Sequence, residues 1–329
     1  MTTPFADPPS FADIEDAAAR LKGHAVETPL VRSDALDAAV GGRVFVKAEV
    51  LQRTGSFKFR GAYNRLSRLT AEERKAGVVA FSSGNHAQGV AAAARIVGCP
   101  AVIVMPADAP LIKVESTRAL GGEVVFYDRM TEDREVITRR IASERGAVVV
   151  PSYDDPFIIA GQGTAGLEAA RQLAALGVQA GLLLCPVSGG GLLAGIGLAF
   201  EQLSPATRLY SAEPEGFDDH RRSLEAGERV SNPKAGGSLC DALLAPTPGQ
   251  ITFAVNSRRL TGGVVVSDAE ALAAVAFAFR HLKLVIEPGG AVALAALLSG
   301  KLKLDGGVAV VIASGGNVDP DVYVKAIGG

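Results

Sequence analysis

The sequence predicts an α/β protein built on two open parallel sheets with flanking helices. Short runs rich in β-branched residues alternate with Ala/Leu-rich helical patterns along almost the whole chain. The runs are apolar throughout, as strands buried on both faces are. The length, 329 residues with 48% hydrophobic, is enough for two cores.

In the first series, the β-branched runs at 78–82, 101–105, 123–127 and 147–150 read as strands. Helical patterns at 86–97, 111–120 and 131–145 separate them. The second series places strands at 181–186, 208–212, 264–267 and 308–314. Its helices are expected at 158–176, 192–203, 268–283 and 290–298. Pro151-Ser152-Tyr153-Asp154-Asp155-Pro156 breaks the patterning between the series and reads as a crossover. A large domain is expected from 1–66 and 153–329, and a small domain from 67–152. The Gly- and Pro-rich stretch 227–249 reads as a loop over a site.

Charge and composition exclude several classes. Lys+Arg number 33 against 35 Asp+Glu, a net charge of -2, so the basic excess of a nucleic-acid binder is missing. Cys99, Cys185 and Cys240 are far apart and form no Cys-x-x-Cys pair, which points to buried free thiols in a reducing compartment. No apolar run approaches a membrane span, and residues 1–33 hold no apolar signal core. A soluble, cytoplasmic protein is expected.

The most informative stretch is Ser56-Phe57-Lys58-Phe59-Arg60-Gly61-Ala62, which opens a helical pattern after Thr54-Gly55. A lysine buried between two phenylalanines loses protonation more readily, and its neutral amine can hold an aldehyde as a Schiff base. The alternative is a surface lysine whose stem lies on an apolar face.

Three loops stand where strands lead into helices or end, the usual ligand position in open α/β sheets. Ser82-Ser83-Gly84-Asn85-His86 offers backbone N–H groups and a helix N-terminus to a carboxylate, or is an ordinary turn. Ser188-Gly189-Gly190-Gly191 lets the backbone close around a phosphate. Gly189-x-Gly191-x-x-Ala194 also satisfies the dinucleotide fingerprint, with Glu213 at the spacing of a ribose-binding acid, so an NAD-dependent oxidoreductase is a competing reading. Ser314-Gly315-Gly316-Asn317 is the third loop.

Together these motifs resemble the fold-type II pyridoxal-phosphate enzymes, in particular the threonine/serine dehydratase and serine racemase group. Ala160-Gly161-Gln162-Gly163-Thr164 and Glu287-Pro288 complete the set, in family order and over nearly the whole chain. The resemblance implies a tryptophan synthase β-like fold and pyridoxal 5'-phosphate as cofactor. It implies Lys58 as the Schiff-base lysine and proton carrier, Phe57 beside the ring, and Asn85 at the phenolic oxygen. Ser188, Gly189, Gly190, Gly191 and Leu192 would cradle the phosphate. Ser314 would meet the pyridine nitrogen, and Glu287 would lie near the ring. Ser82, Ser83, Gly84, Asn85 and His86 would clamp the substrate carboxylate, and Arg134 would contact the substrate side chain. Glu213, Asp219 and the carbonyl of Phe217 match a site for a divalent cation (Mg, Ca or Mn); the plainer reading of the two acids is a solvated pair near a strand end.

The activity implied is dehydration of a small β-hydroxy amino acid, L-threonine or L-serine first, to 2-oxobutyrate or pyruvate and ammonia. Serine racemisation with side dehydratase activity, and a 3-hydroxyaspartate-type dehydration, are the alternatives. A neutral Ser314 makes a weaker electron sink than an aspartate would, which favours loss of the β-hydroxyl. Tyr153 favours the dehydratase branch. Ser83 pulls the other way, as a second catalytic proton carrier across the ring. His86 is expected to pack rather than to act as a base. The loop 234–241 departs from the Ile-Ala-Asp-Gly of many relatives, and Phe217 is bulkier than the residue expected at the cation site. A homodimer is expected, with no nucleic-acid or membrane partner. With the chain ending at Gly329, control by an effector domain is not expected.

Overall fold

The computed structural model describes residues 7–82, 84–109, 111–128, 130–234 and 236–328. In chain order the strands are β1 (Leu30–Val31), β2 (Arg43–Ala48), β3 (Val78–Phe81), β4 (Ala101–Pro106) and β5 (Glu123–Tyr127). They continue with β6 (Val148–Val149), β7 (Leu182–Pro186), β8 (Arg208–Pro214), β9 (Leu260–Val266) and β10 (Val308–Ala313). One sheet runs β1-β2-β10-β7-β8-β9 and the other β5-β4-β3-β6. The two parallel sheets are as expected; one pairing, β1 with β2 at the edge of the larger sheet, is antiparallel.

Side chains alternate across each sheet into two cores, as the period of a strand requires. In the larger sheet Val44, Val46, Leu182, Leu184 and Val311 face the helices Asp268–Phe277 and Pro288–Leu298. Phe45, Leu183, Cys185, Val310 and Ile312 face the helices Pro156–Ala175 and Gly191–Leu203. In the smaller sheet Val78, Ala80, Ile103 and Met105 pack on one side and Val79, Val102 and Val104 on the other. The three cysteines are free and buried.

Several element ends move for local reasons. The helix expected at 131–145 starts at Arg134, because the Asp133 carboxylate accepts from the N–H groups of Glu135 and Val136 and caps it there. The helix expected at 268–283 ends at Phe277 and passes into a π turn, Ala278–Leu282, with Lys283 left-handed at φ 58°. Among its described residues, the stretch 227–249 holds one 3₁₀ turn, Asp241–Leu243, and is otherwise irregular. Among the described residues, no helix is long and apolar enough to cross a membrane.

A buried ionic cluster ties the lysine-bearing helix Lys58–Leu66 to the larger sheet. Arg60 meets Glu49 at 2.7 and 2.8 Å and Glu168 at 2.6 and 2.7 Å, and Lys47 meets Glu168 at 2.7 Å. Arg60, Glu49 and Lys47 are fully buried. Removing Arg60 would leave the Glu49 carboxylate buried without its ion-pair partner, at a cost of about 3–5 kcal/mol.

Candidate active site

The two phenylalanines beside Lys58 enter different cores. Phe57 packs against the cluster under β7 and β10, and Phe59 belongs to the cluster under β3 and β4. Lys58 therefore stands at the seam between the sheets, where a cavity of about 430 Å³ opens. Its Nζ donates to the Ser152 carbonyl at 2.8 Å and lies 5.1 Å from the Phe57 ring centroid. Burial draws its pKa down to about 8, opposed by the Glu287 carboxylate. Lys58 turns into this cavity instead of lying along an outer face, so the surface-lysine alternative falls away.

The segment before Lys58 is fixed by the end of β10. Phe57 N–H donates to the Ser314 carbonyl at 3.1 Å, and Gly316 N–H to the Gly55 carbonyl at 2.9 Å. Asn317 Nδ2 reaches both the Thr54 carbonyl and Asn85 Oδ1, at 2.8 and 2.7 Å. Asn85 Nδ2 in turn donates to Glu287 Oε1 at 2.6 Å. Burial raises Glu287 to about 7, with Asp241 adding to the rise and Asn85 and Lys113 opposing it.

The glycine loop is shaped from behind. A Cβ on Gly189 would lie 2.3 Å from the Tyr153 ring, and one on Gly191 2.6 Å from Gln162 Oε1. One on Gly190, left-handed at φ 97°, would lie 2.7 Å from His220 Nε2. Thr252 Oγ1 donates to the Gly189 carbonyl at 2.6 Å, and Ser188 Oγ accepts from Ala245 N–H at 3.0 Å. Gly191 then opens the helix Gly191–Leu203, whose N-terminus favours an anion.

Facing it, the loop from Ser82 leads into the helix Asn85–Val97, and Gly84 N–H donates to Ser82 Oγ at 3.1 Å. Ser83 lies outside the described residues. His86 is buried, its Nε2 3.0 Å from the Val150 carbonyl, and burial holds its pKa near 3, so it stays neutral and packs as expected. Arg134 stacks 4.8 Å over the Phe81 ring at the cavity wall, with no carboxylate in ion-pair range among the described residues. Lys113 does have partners, Asp241 at 2.8 Å and Asp319 at 3.7 Å, bridging the cavity mouth from the smaller sheet's side.

The cavity thus gathers Phe57, Lys58, Ser82, Gly84, Asn85, His86, Arg134, Ser188 to Leu192, Glu287 and Ser314. Glu213, Phe217 and Asp219 stay outside its wall. Both acids are fully buried, which corrects the solvated-pair reading. Glu213 accepts from the N–H groups of His220 and Arg221 at 2.8 and 3.0 Å, which leaves it no role on a ribose. Burial and the neighbouring Asp219 raise Glu213 to about 8. Burial raises Asp219 to about 6; its Oδ1 accepts from Asn232 at 2.7 Å, and its Oδ2 is buried without a partner. Among the described residues, no group of three or more His, Cys, Asp or Glu side chains is placed to hold a metal ion.

Sequence reasoning misses Gln162, Lys113, Asp241 and the Ser152 carbonyl, all at the cavity wall. For Gln162 the signal is the Gly161-Gln162-Gly163 motif, to which the sequence assigns no role. Asp241 lies in the stretch 227–249 that the sequence reads as a loop over a site, while Lys113 and Ser152 carry no local signal.

Residues 21–315 match the family described as pyridoxal-phosphate dependent enzyme. The chain is 46% identical to an L-threo-3-hydroxyaspartate ammonia-lyase of Pseudomonas sp, over 97% of this chain and 99% of that one. It is 39% identical to a serine racemase of Schizosaccharomyces pombe, over 96% of each. Among solved structures it is similar to a threonine deaminase of T.th., with a TM-score of 0.88 and 42% identity over 94% of this chain and 99% of that one.

Proposed function

This chain belongs to the pyridoxal-phosphate dependent enzyme family, in its ammonia-lyase and racemase branch, and from that premise we propose that it dehydrates and deaminates a β-hydroxy amino acid carrying a second carboxylate, 3-hydroxyaspartate. The NAD-dependent reading is set aside with it. The residues fit the cofactor: three glycines make a hollow that any Cβ would fill, at a helix N-terminus, and Lys58 shares the cavity with them. Ser188 to Leu192 would hold the phosphate, Phe57 and Asn85 would flank the ring, and Ser314 and Glu287 would face its far edge.

Pyridoxal phosphate bound there supplies an aldehyde for the substrate's amino group and an electron sink for the charge left when the α-proton departs. Lys58, with a pKa of about 8, offers a neutral amine to take that proton. Ser82 and the N–H groups around Gly84 and Asn85 hold the α-carboxylate at the helix N-terminus. Loss of the β-hydroxyl as water gives an enamine, and hydrolysis of its imine tautomer takes up one water and releases ammonia, so that 3-hydroxyaspartate yields oxaloacetate.

The observation that carries the substrate is Arg134, a guanidinium at the cavity wall with no carboxylate partner among the described residues. A β-carboxylate would complete it; the methyl of threonine or the hydrogen of serine would not. This moves 3-hydroxyaspartate ahead of the two substrates the motifs suggested, and the relative named for that activity supports the order. Ammonia and keto-acid release should be measured on L-threo-3-hydroxyaspartate, L-threonine and L-serine, with chiral chromatography alongside. We expect the highest kcat/KM on 3-hydroxyaspartate, and a loss of that preference in Arg134→Met. Faster turnover of threonine or serine, or racemisation outpacing keto-acid release, would overturn the reading.

We also assign residues 67–152 to a smaller unit that brings the carboxylate loop to the cavity. For Glu213, Asp219 and the Phe217 carbonyl we retain the divalent cation. Two buried carboxylates with raised pKa values and one unpaired oxygen suit a hard ion, which would brace the glycine loop through His220. Chelation should lower the melting temperature, and magnesium, calcium or manganese should restore it.

A further inference from the structure

Gln162 sits on the helix Pro156–Ala175, 1% exposed, with its side chain reaching the cavity between two glycines of other motifs. A Cβ on Gly61 would come within 3.0 Å of its Cγ, and one on Gly191 within 2.6 Å of its Oε1. The lysine-bearing helix and the glycine loop both leave room for this one side chain. Its Nε2 donates to the Ser152 carbonyl at 3.2 Å, the same oxygen that accepts from Lys58 Nζ at 2.8 Å. Its Oε1 is buried with no partner. A methionine would fill the same space without stranding a polar atom, so the amide's use lies in its donor.

We propose that Gln162 is a positioning residue that keeps the Ser152 carbonyl hydrogen-bonded when Lys58 departs from it. The inference rests on the reading above, in which Lys58 alternates between holding the cofactor and moving the α-proton. A carbonyl oxygen has two lone pairs, and here two donors share them. Were Lys58 the sole donor, each departure would leave a desolvated acceptor unpaired, and the lysine would be held back by that penalty. With Gln162 in place the acceptor stays satisfied, and the amine swings freely.

The test is stopped-flow absorbance of the pyridoxal-phosphate-loaded protein: glycine, which has no β-group to lose, first displaces Lys58 from the cofactor, and dilution of the glycine then lets Lys58 leave Ser152 and return. Gln162→Met should slow that return about tenfold, the worth of one net hydrogen bond, and lower the half-saturating glycine concentration, because only the cofactor-bound lysine leaves the Ser152 carbonyl without a donor. Gln162→Glu should be slow at neutral pH, where an ionised carboxylate attracts the ammonium instead of donating to Ser152. It should gain on Gln162→Met as the pH falls and its protonated carboxyl becomes a donor again. A return of Lys58 in Gln162→Met at the wild-type rate, with Lys58 carrying the cofactor, would overturn the inference while leaving the proposed function intact. If Gln162→Met does not fold, the near-isosteric Gln162→Glu decides by whether its rate recovers toward acid pH. Borohydride trapping that finds no pyridoxal phosphate on Lys58 of the wild-type chain would remove the underlying reading instead.

Discussion

The two ligand loops are built alike and supported differently. Each opens a 13-residue helix, Gly191–Leu203 in one case and Asn85–Val97 in the other. Behind the glycine loop every added Cβ would meet an atom under 3.0 Å away: Tyr153, His220 or Gln162. At Gly84 in the other loop, an added Cβ would meet nothing within 4 Å among the described residues. A close-packed hollow suits a group whose shape never changes, such as a phosphate. An open loop tolerates a ligand that arrives and leaves at every turnover. On the proposed function, preorganisation is spent on the resident group, and adjustability is left to the passing one.

The sharpest way to break this contrast is Gly189→Ala. Its methyl would enter the Tyr153 ring, and overpacking of this kind costs about 1–3 kcal/mol, so affinity for pyridoxal phosphate should fall up to about a hundredfold. Spectroscopic titration of the cofactor measures it. His220→Ala removes support one layer back: His220 lies 3.2 Å from Asn256, whose Nδ2 reaches the Gly190 carbonyl at 3.3 Å. A loss of about tenfold in the same titration is expected, since one supporting hydrogen bond is weakened.

Glu287→Gln sharpens the contrast by changing charge and leaving shape alone. The carboxylate favours protonated Lys58, so its loss should move the lysine below its pKa of about 8. The rising limb of kcat/KM against pH would then shift toward acid, because neutral amine persists at lower pH. An unmoved or alkaline-shifted limb would contradict that coupling. Gly84→Ala should do least, with cofactor affinity unchanged and KM altered less than about threefold, since the open loop has room for a methyl. An effect as large as that of Gly189→Ala would erase the distinction between the loops.

What the sequence discloses follows the range of the interaction. Strands β3, β4, β7 and β10 are legible because burial on both faces makes them continuously apolar, and the edge strand β5 by its run of β-branched and aromatic residues. β1 is two residues long and leaves no periodic signal. β2, Arg-Val-Phe-Val-Lys-Ala, escapes the reading although its central run is apolar; the charges at Arg43 and Lys47 suggest an exposed segment, whereas Lys47 is buried on Glu168. The helix Gln250–Arg259 mixes polar residues into its buried face, Thr252 and Asn256 among them, and so shows little periodicity. At the site, Lys58 and both loops can be found because glycines and a flanked lysine are local signatures. The Lys113–Asp241 pair and the sharing of Ser152 by Lys58 and Gln162 join residues far apart in sequence, and no local pattern encodes them.

The strand order carries a consequence for how the chain is made. β2 lies near the beginning of the sequence, yet one of its edges pairs with β10, near the end, from Arg43 with Val308 to Ala48 with Ala313. During synthesis that edge has no native partner until almost the whole protein has left the ribosome. The smaller sheet, by contrast, is contiguous from β3 to β6 and can form while the larger one waits. Vectorial folding should therefore finish the smaller sheet first and leave Val44, Phe45 and Val46 exposed the longest, as the segment most in need of a chaperone.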